Sequence, residues 1–330
     1  MDSAVITSSL SRSFGALTAV DSLELTIERG EIFGLLGPNG AGKTTTLSML
    51  ATLLPPTTGT ASVAGHDISG EKDAVRRAIG LVFQDPSTDE ELTAWENMDF
   101  HGRLYGVPRA DRRERIPELL EMVDLADRSG HRVKTFSGGM KRRLEIARGF
   151  LHHPSVLFLD EPTTGLDPQT RRRIWDHIER INKAEELTIL LTTHSMEEAD
   201  ALCGRIGIMD HGKLIALGTP AELKNGLGGD VISLEVEGPT GFVVAALERV
   251  DWVLSVRARD GKVDITVQGG ETRIPEVLRL TDQTGASARS IALKKPTLED
   301  VFIYHTGRDI RDSDADNVDR MRQRRRAFNR

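Results

Sequence analysis

The chain has 330 residues, 38% of them hydrophobic, with 43 Lys plus Arg against 50 Asp plus Glu and a formal net charge of -7. That length suits a sizeable core and more than one domain, and a mildly acidic balance argues against a dedicated DNA-binding protein, whose electrostatic footprint is normally basic. The single cysteine, Cys203, excludes an intramolecular disulfide and suits a reducing cytoplasm, Met1-Asp2-Ser3-Ala4 lacks the features of a signal peptide, and no apolar run approaches the ~20 residues that span a bilayer.

Along the chain, Leu23, Leu25 and Ile27 alternate with polar residues as a half-buried strand does, and Ile32–Leu36 reads as a buried strand leading into a glycine-rich turn. A helix is expected from Lys43 to about Leu53, ended by Pro55-Pro56. A second buried strand, Ile79–Phe83, delivers Gln84, and the stretch from Asp85 to Thr135 is mostly charged and helical. Within it, Thr93 and Glu96 have capping-box spacing ahead of a Trp95–Tyr105 helix. Val156–Leu159, Thr188–Leu191 and Ile206–Met209 are three more short apolar strands. Strands alternating with helices imply a mainly parallel sheet covered on both faces.

Composition changes at Asn225–Gly229, which reads as a linker. Beyond it, Ile232, Leu234 and Val236 alternate, Phe242–Val250 is helical, and Trp252, Leu254 and Val256 alternate again. Asp260-Gly261 is a hairpin turn answered by Val263, Ile265 and Val267; Ile274, Val277 and Leu278 have helical spacing, and Ser290–Leu293 is a last strand. The order β-α-β-β-α-β matches a small ferredoxin-like α+β domain. The tail from Arg308 is charged, poor in apolar residues and expected to be disordered.

Gly37-Pro38-Asn39-Gly40-Ala41-Gly42-Lys43-Thr44 fits the phosphate-loop pattern, with a strand before it and a helix after it. Glycines let backbone N–H groups curl toward phosphates, and the helix beginning near Lys43 adds its positive dipole end. Lys43 is placed to reach the β- and γ-phosphates of ATP, the Thr44 hydroxyl to ligate Mg²⁺, and Thr45 to join the nucleotide contacts. Asp160 ends an apolar strand, which puts its carboxylate at the edge of the sheet where open α/β folds bind ligands. It is the candidate Mg²⁺ holder, and Glu161 the candidate that orients or deprotonates the attacking water.

Between these motifs stands Phe136-Ser137-Gly138-Gly139-Met140, and with it the chain resembles ATP-binding-cassette (ABC) ATPases over roughly residues 4–225. The resemblance implies an α/β phosphate-loop domain (residues 1–225) with a helical subdomain at about 85–135, followed by the ferredoxin-like domain at 226–307 and the tail at 308–330. It gives Gln84 the role of sensing Mg²⁺ and the attacking water. Ser137, Gly138 and Gly139 then close over the γ-phosphate of ATP held by a second subunit, so ATP joins a homodimer head to tail. Asp167 couples the two sites, His194 contacts the γ-phosphate, and Phe14 stacks on adenine, a role that needs only a flat π-face. Phe136 and Met140 depart from the family's usual Leu and Gln, which puts the fine contacts of this turn in question.

The helical segment beside Gln84 is where such proteins dock a separate membrane permease, placing this chain on the cytoplasmic face of the membrane. Pro296–Phe302, the C-terminal domain, and Leu92-Thr93, Glu96-Asn97 and Leu104-Tyr105-Gly106 look like the daunorubicin-resistance type of drug-export ATPase. Two other readings keep the cassette. One acts on ribosomes or nucleic acid, which a lone phosphate loop and the lack of sustained heptads disfavour. The other exports glycans, which the few aromatic residues after Asn225 disfavour.

Overall fold

The chain enters as a long antiparallel pair, β1 (Ser3–Phe14) and β2 (Leu17–Glu28), before β3 (Ile32–Leu36) and helix α1 (Lys43–Leu50). β4 (Thr58–Val63), β5 (His66–Asp67), α2 (Lys72–Ala78) and β6 (Ile79–Val82) follow. Helices α3 (Ala94–Leu104), α4 (Arg109–Met122) and α5 (Gly138–Gly149) precede β7 (Val156–Asp160), α6 (Pro168–Glu185) and β8 (Thr188–Thr193). α7 (Met196–Leu202), β9 (Arg205–Asp210) and β10 (Lys213–Gly218) come next. The computed structural model describes residues 3–85, 87–259 and 262–306. These fall into two compact units, one reaching Thr219 and the other beginning at Pro220.

In the first unit, β3, β7 and β8 are buried along their whole lengths. Strands buried on both faces read as continuous apolar runs, and these are the centre of a sheet ordered β10-β9-β3-β8-β7-β6. All neighbouring pairs are parallel except β9–β10. A second sheet, β2-β1-β4-β5, is antiparallel and departs from the single parallel sheet that the sequence suggests. Its inward side chains Val5, Leu10, Val20, Leu25 and Val63 share a core with Leu47, Met49 and Leu50 of α1 and with Phe33 and Phe158 of the parallel sheet.

Local rules account for the helices that matter to the site. Thr93 caps α3, accepting the Glu96 N–H at 3.1 Å while Glu96 Oε2 accepts the Thr93 N–H at 2.8 Å. Asp167 caps α6, Pro168 opens it, and Ile174, Ile178 and Ile181 bury one face.

The second unit opens with α8 (Pro220–Asn225), continues through β11 (Asp230–Glu237), α9 (Thr240–Leu247), β12 (Val253–Arg259), β13 (Lys262–Val267), α10 (Gly270–Gln283) and β14 (Ser287–Lys294), and ends with α11 (Leu298–Thr306). The strands are ordered β12-β13-β11-β14, all antiparallel, which is the ferredoxin-like arrangement. Ile232, Leu234, Val263, Ile265 and Val267 from the sheet bury Val243, Leu247 and Val277 of α9 and α10. Leu254 differs from its expected inward position. The register shifts between Val253 and Ser255, so Val253 and Val256 pack inward while Leu254 stays 50% exposed. The expected turn at Asp260-Gly261 and the tail from Arg308 lie outside the described residues.

β6 meets the end of α5 at Gly80, where a Cβ would lie 2.1 Å from the Gly149 carbonyl oxygen and 2.8 Å from Leu157 Cδ1. Backbone cannot yield there as a side-chain tip would. Gly80→Ala is expected to destabilise the first unit by about 1–3 kcal/mol or more, read as an earlier transition in urea; an unchanged midpoint would contradict this packing.

Candidate functional site

Parallel strands release the chain at a common edge, and ligands of open α/β sheets bind there. β3, β8, β7 and β6 lie side by side in that order, at spacings of about 4.8 Å. The residues that follow Leu36, Thr193, Leu159 and Val82 therefore share one rim. Positions 37–45, 194, 160–161 and 84 are far apart in the chain and adjacent there.

Gly37, Pro38, Asn39, Gly40 and Ala41 form the turn from β3, and Lys43, Thr44 and Thr45 make the first turn of α1. Gly42 has φ 104°, and a Cβ on it would lie 2.4 Å from the Ala19 carbonyl oxygen of β2, so this junction accepts no side chain. Lys43, 4% exposed, donates to the carbonyls of Gly37 at 2.7 Å and Pro38 at 3.1 Å and stands 3.7 Å from Glu161 Oε1.

Asp160 is held from two sides. Thr44 Oγ1 donates to its Oδ1 at 3.0 Å and Thr192 Oγ1 to the same atom at 2.5 Å. Glu161 takes a left-handed backbone, φ 46°. Its N–H donates to Thr192 O and Oγ1, both at 3.1 Å. Its Oε2 accepts the Thr164 hydroxyl at 2.9 Å and lies 3.2 Å from His194 Nδ1. The structure thus brings Lys43, Thr44, Asp160, Glu161 and His194 together.

The other expected residues are placed differently. Gln84 is exposed just beyond β6, and no hydrogen bond links it to Asp160 or Glu161 among the described residues. Phe14 ends β1, 47% exposed as a residue, with the Arg12 guanidinium 4.7 Å above its ring. Its hairpin leads into Ala19, the residue against Gly42. Ser137 caps α5, its hydroxyl accepting the Met140 N–H at 3.3 Å, and Ser137 and Gly138 are exposed while Gly139 is buried. Asp167 accepts the Thr170 N–H at 3.0 Å, and its carboxyl is lowered by hydrogen bonds from the Thr170 side chain and backbone.

Sequence reasoning missed the supports. Thr192 follows the apolar run Thr188–Leu191 and Thr164 stands three residues before Asp167, yet nothing in a lone threonine announces a carboxylate partner. Arg142, Glu145 and Glu198 are buried; a charged residue at an inward position of a helix was the available signal. Glu198 accepts from the Thr163 hydroxyl at 2.7 Å and from Trp175 Nε1 at 3.0 Å.

The donor set fits a small hard cation. Asp160 and Thr44 offer oxygens, and among the described residues no group of three His, Cys, Asp or Glu forms an all-protein cage. Mg²⁺ is commonly held in that manner, by one or two protein oxygens with waters and substrate phosphates.

Burial raises the Glu161 carboxyl, but the hydrogen bond and charge of His194, with Lys43 and Thr164, outweigh it and hold the group at about 2 against an ordinary 4.5. A folded value below the ordinary one means that the ionised group favours the folded chain above the ordinary value. That contribution is lost as pH falls through about 2. In acid titrations followed by circular dichroism, Glu161→Gln is expected to lose less stability than the unmutated chain across this interval; equal losses would contradict the pairing.

Comparison with known proteins follows the same division. A family model described as "ABC transporter" matches residues 20–164, and one described as "ATP-binding protein DrrA1-3-like, C-terminal domain" matches residues 218–306. The "Daunorubicin resistance ATP-binding protein DrrA3" of Streptomyces coeruleorubidus is 42% identical, over 95% of this chain and 99% of its own. The "Linearmycin resistance ATP-binding protein LnrL" of Bacillus subtilis is 38% identical, over 92% and 98%. Among solved structures, the dimeric post-hydrolysis state of the ATP-binding cassette MJ0796 bound to ADP and Pi aligns with a TM-score of 0.58 and 28% identity, over 65% of this chain and 98% of that one.

Proposed function

The chain belongs to the ABC transporter family of ATP-binding subunits, and we propose that it powers export of a drug-like small molecule through a separate membrane-spanning subunit. ATP hydrolysis coupled to transport is the family's activity. The observation that carries the reading here is the rim on which one carboxylate, Glu161, is held between Lys43 at 3.7 Å and His194 at 3.2 Å.

Lys43 currently spends its ammonium on two carbonyls and Glu161. ATP phosphates seated at the glycine-rich turn and the N-terminal end of α1 give it a charged acceptor and relax its hold on Glu161. A carboxylate held at about 2 is a weak proton acceptor. Loss of the Lys43 pairing beside new negative charge takes away one of the influences that lower it, the larger being His194, so phosphate binding moves Glu161 toward orienting the attacking water and taking its proton. Thr164 and His194 keep its Oε2 aimed. Thr44 and Asp160, with Gln84 drawn in, would hold Mg²⁺, which when bound supplies charge that screens the phosphates. Phe14 offers its exposed ring to adenine.

Ser137 and Gly138 are exposed at the positive end of a 12-residue helix, a surface suited to a phosphate on a second copy. The dimeric state of the solved cassette supports that arrangement, with Asp167 near the junction. Among the described residues no helix is long and apolar enough to cross a membrane; the proposed export uses a separate membrane partner, and docking to it would set the chain at the cytoplasmic face. The two relatives carry names of different drugs at similar identity, which supports a choice of cargo made by the membrane subunit.

Glu161→Gln is expected to slow ATP hydrolysis by about 100-fold or more while an ATP-bound dimer accumulates in size-exclusion chromatography. Pulled from detergent-solubilised native membranes with ATP, that variant is expected to bring a multi-span membrane protein. Unchanged turnover would remove Glu161 from the chemistry, and ribosomes or nucleic acid in place of a membrane protein would overturn the export reading.

A further inference from the structure

Arg142 lies in α5, the helix that Ser137 caps, and only 7% of it is exposed. Its Nε donates to the Pro162 carbonyl at 2.7 Å, one terminal nitrogen donates to the Asp160 carbonyl at 3.0 Å, and the other donates to the Phe83 carbonyl and reaches the Glu145 carboxylate at 3.3 Å. Asp160 and Pro162 flank Glu161, and Phe83 precedes Gln84. One guanidinium therefore pins the backbone on both sides of the proposed water-orienting carboxylate and just ahead of the proposed sensing glutamine.

α5 grips the far side of Gln84 as well. Glu145 Oε1 accepts the Ser87 N–H at 2.6 Å, and Arg148 donates to the Ser87 carbonyl at 2.8 Å. Glu161 has the left-handed backbone at φ 46° that a side-chain-bearing residue keeps only when its surroundings fix it. Thr192 holds its N–H, and Arg142 holds the carbonyls before and after it. Burial pulls the Arg142 guanidinium down from its usual value, and the charges of Glu145, Asp160 and Glu198 oppose that. The cation stays charged in a buried place where its planar fork of donors, which lysine lacks, has an acceptor in each direction.

We propose that Arg142 is a positioning residue that transmits the engagement of Ser137 by ATP on a second copy to Glu161 and Gln84 of its own subunit. This rests on the composite-site reading above. The helix moves as a rigid body, its capped end touching the partner's phosphate and its second turn carrying the backbone of the catalytic carboxylate. A subunit thereby aligns its own Glu161 when its Ser137 turn is occupied, which ties hydrolysis at one site to ATP in the other.

The test is a set of ATPase measurements on the full chain with Ser137→Ala, Arg142→Lys, Arg142→Met and the Ser137→Ala/Arg142→Lys double variant, with Glu161→Gln alongside. Both Arg142 variants are expected to lose about tenfold or more in kcat, with KM and binding of a fluorescent ATP analogue held within about twofold. The double variant is expected to turn over within about twofold of the slower single one, because a signal already cut at Ser137 has nothing left to pass. Multiplicative losses in the double variant, or nucleotide affinity falling in step with kcat, would overturn the proposal and leave Arg142 a packing residue. Arg142→Lys keeps the buried charge, so the comparison stands even where Arg142→Met does not fold. If Glu161→Gln hydrolyses ATP normally, the underlying site reading fails instead.

Discussion

The site depends on one electrostatic requirement: a buried ammonium, Lys43, and two buried carboxylates, Asp160 and Glu161, must keep one another company. Removing such charges from water costs several kcal/mol per ion unless partners and hydrogen bonds replace the lost hydration. Several nearby polar side chains answer that demand. Thr44 and Thr192 share one oxygen of Asp160, Thr164 and His194 attend one oxygen of Glu161, and Lys43 spends donors on two carbonyls of its own turn. In the proposed function a nucleotide bound there would complete this charge arrangement, its phosphate sharing the Lys43 ammonium with the carboxylate.

The sheet makes this possible without long-range design. Four parallel strands end at one rim, so residues more than a hundred positions apart become neighbours as soon as the strands pair. The order β3-β8-β7-β6 inserts the strand of His194 between the phosphate turn and the carboxylate pair, which puts the imidazole within reach of Glu161. α5 then crosses from an exposed capped end to the backbone of the same carboxylate, so the helix spans the distance between two functions.

What the sequence disclosed and what it hid divide along physical lines. The phosphate turn was legible because close backbone approach admits glycine alone, as at Gly42. The carboxylates were legible because they end an apolar run. The second unit was legible from alternation, since Ile232, Leu234, Val263, Ile265 and Val267 keep a period of two on unbroken strands. β1 and β4 were not. Their serines and threonines blur the alternation, and register shifts break the period, with Ser9 left-handed in β1 and Ser22 left-handed in the neighbouring β2. Leu254 was misassigned for the same reason, a bulge that turns the pleat over. Arg142 was hidden more deeply, because its partners are carbonyls, which every residue has and no residue type announces.

The central claim is that each complete catalytic site takes its phosphate turn from one copy and its Ser137 turn from another. Mixing two crippled forms tests it most directly: Lys43→Ala, which spoils the phosphate turn, and Ser137→Ala, which spoils the capping turn. Mixed dimers retain one whole composite site, so with ATP the mixture is predicted to form a nucleotide-bound dimer in size-exclusion chromatography that neither variant forms alone, whether or not that site then hydrolyses its ATP. A mixture that stays monomeric with ATP, as each variant does alone, would contradict the composite site.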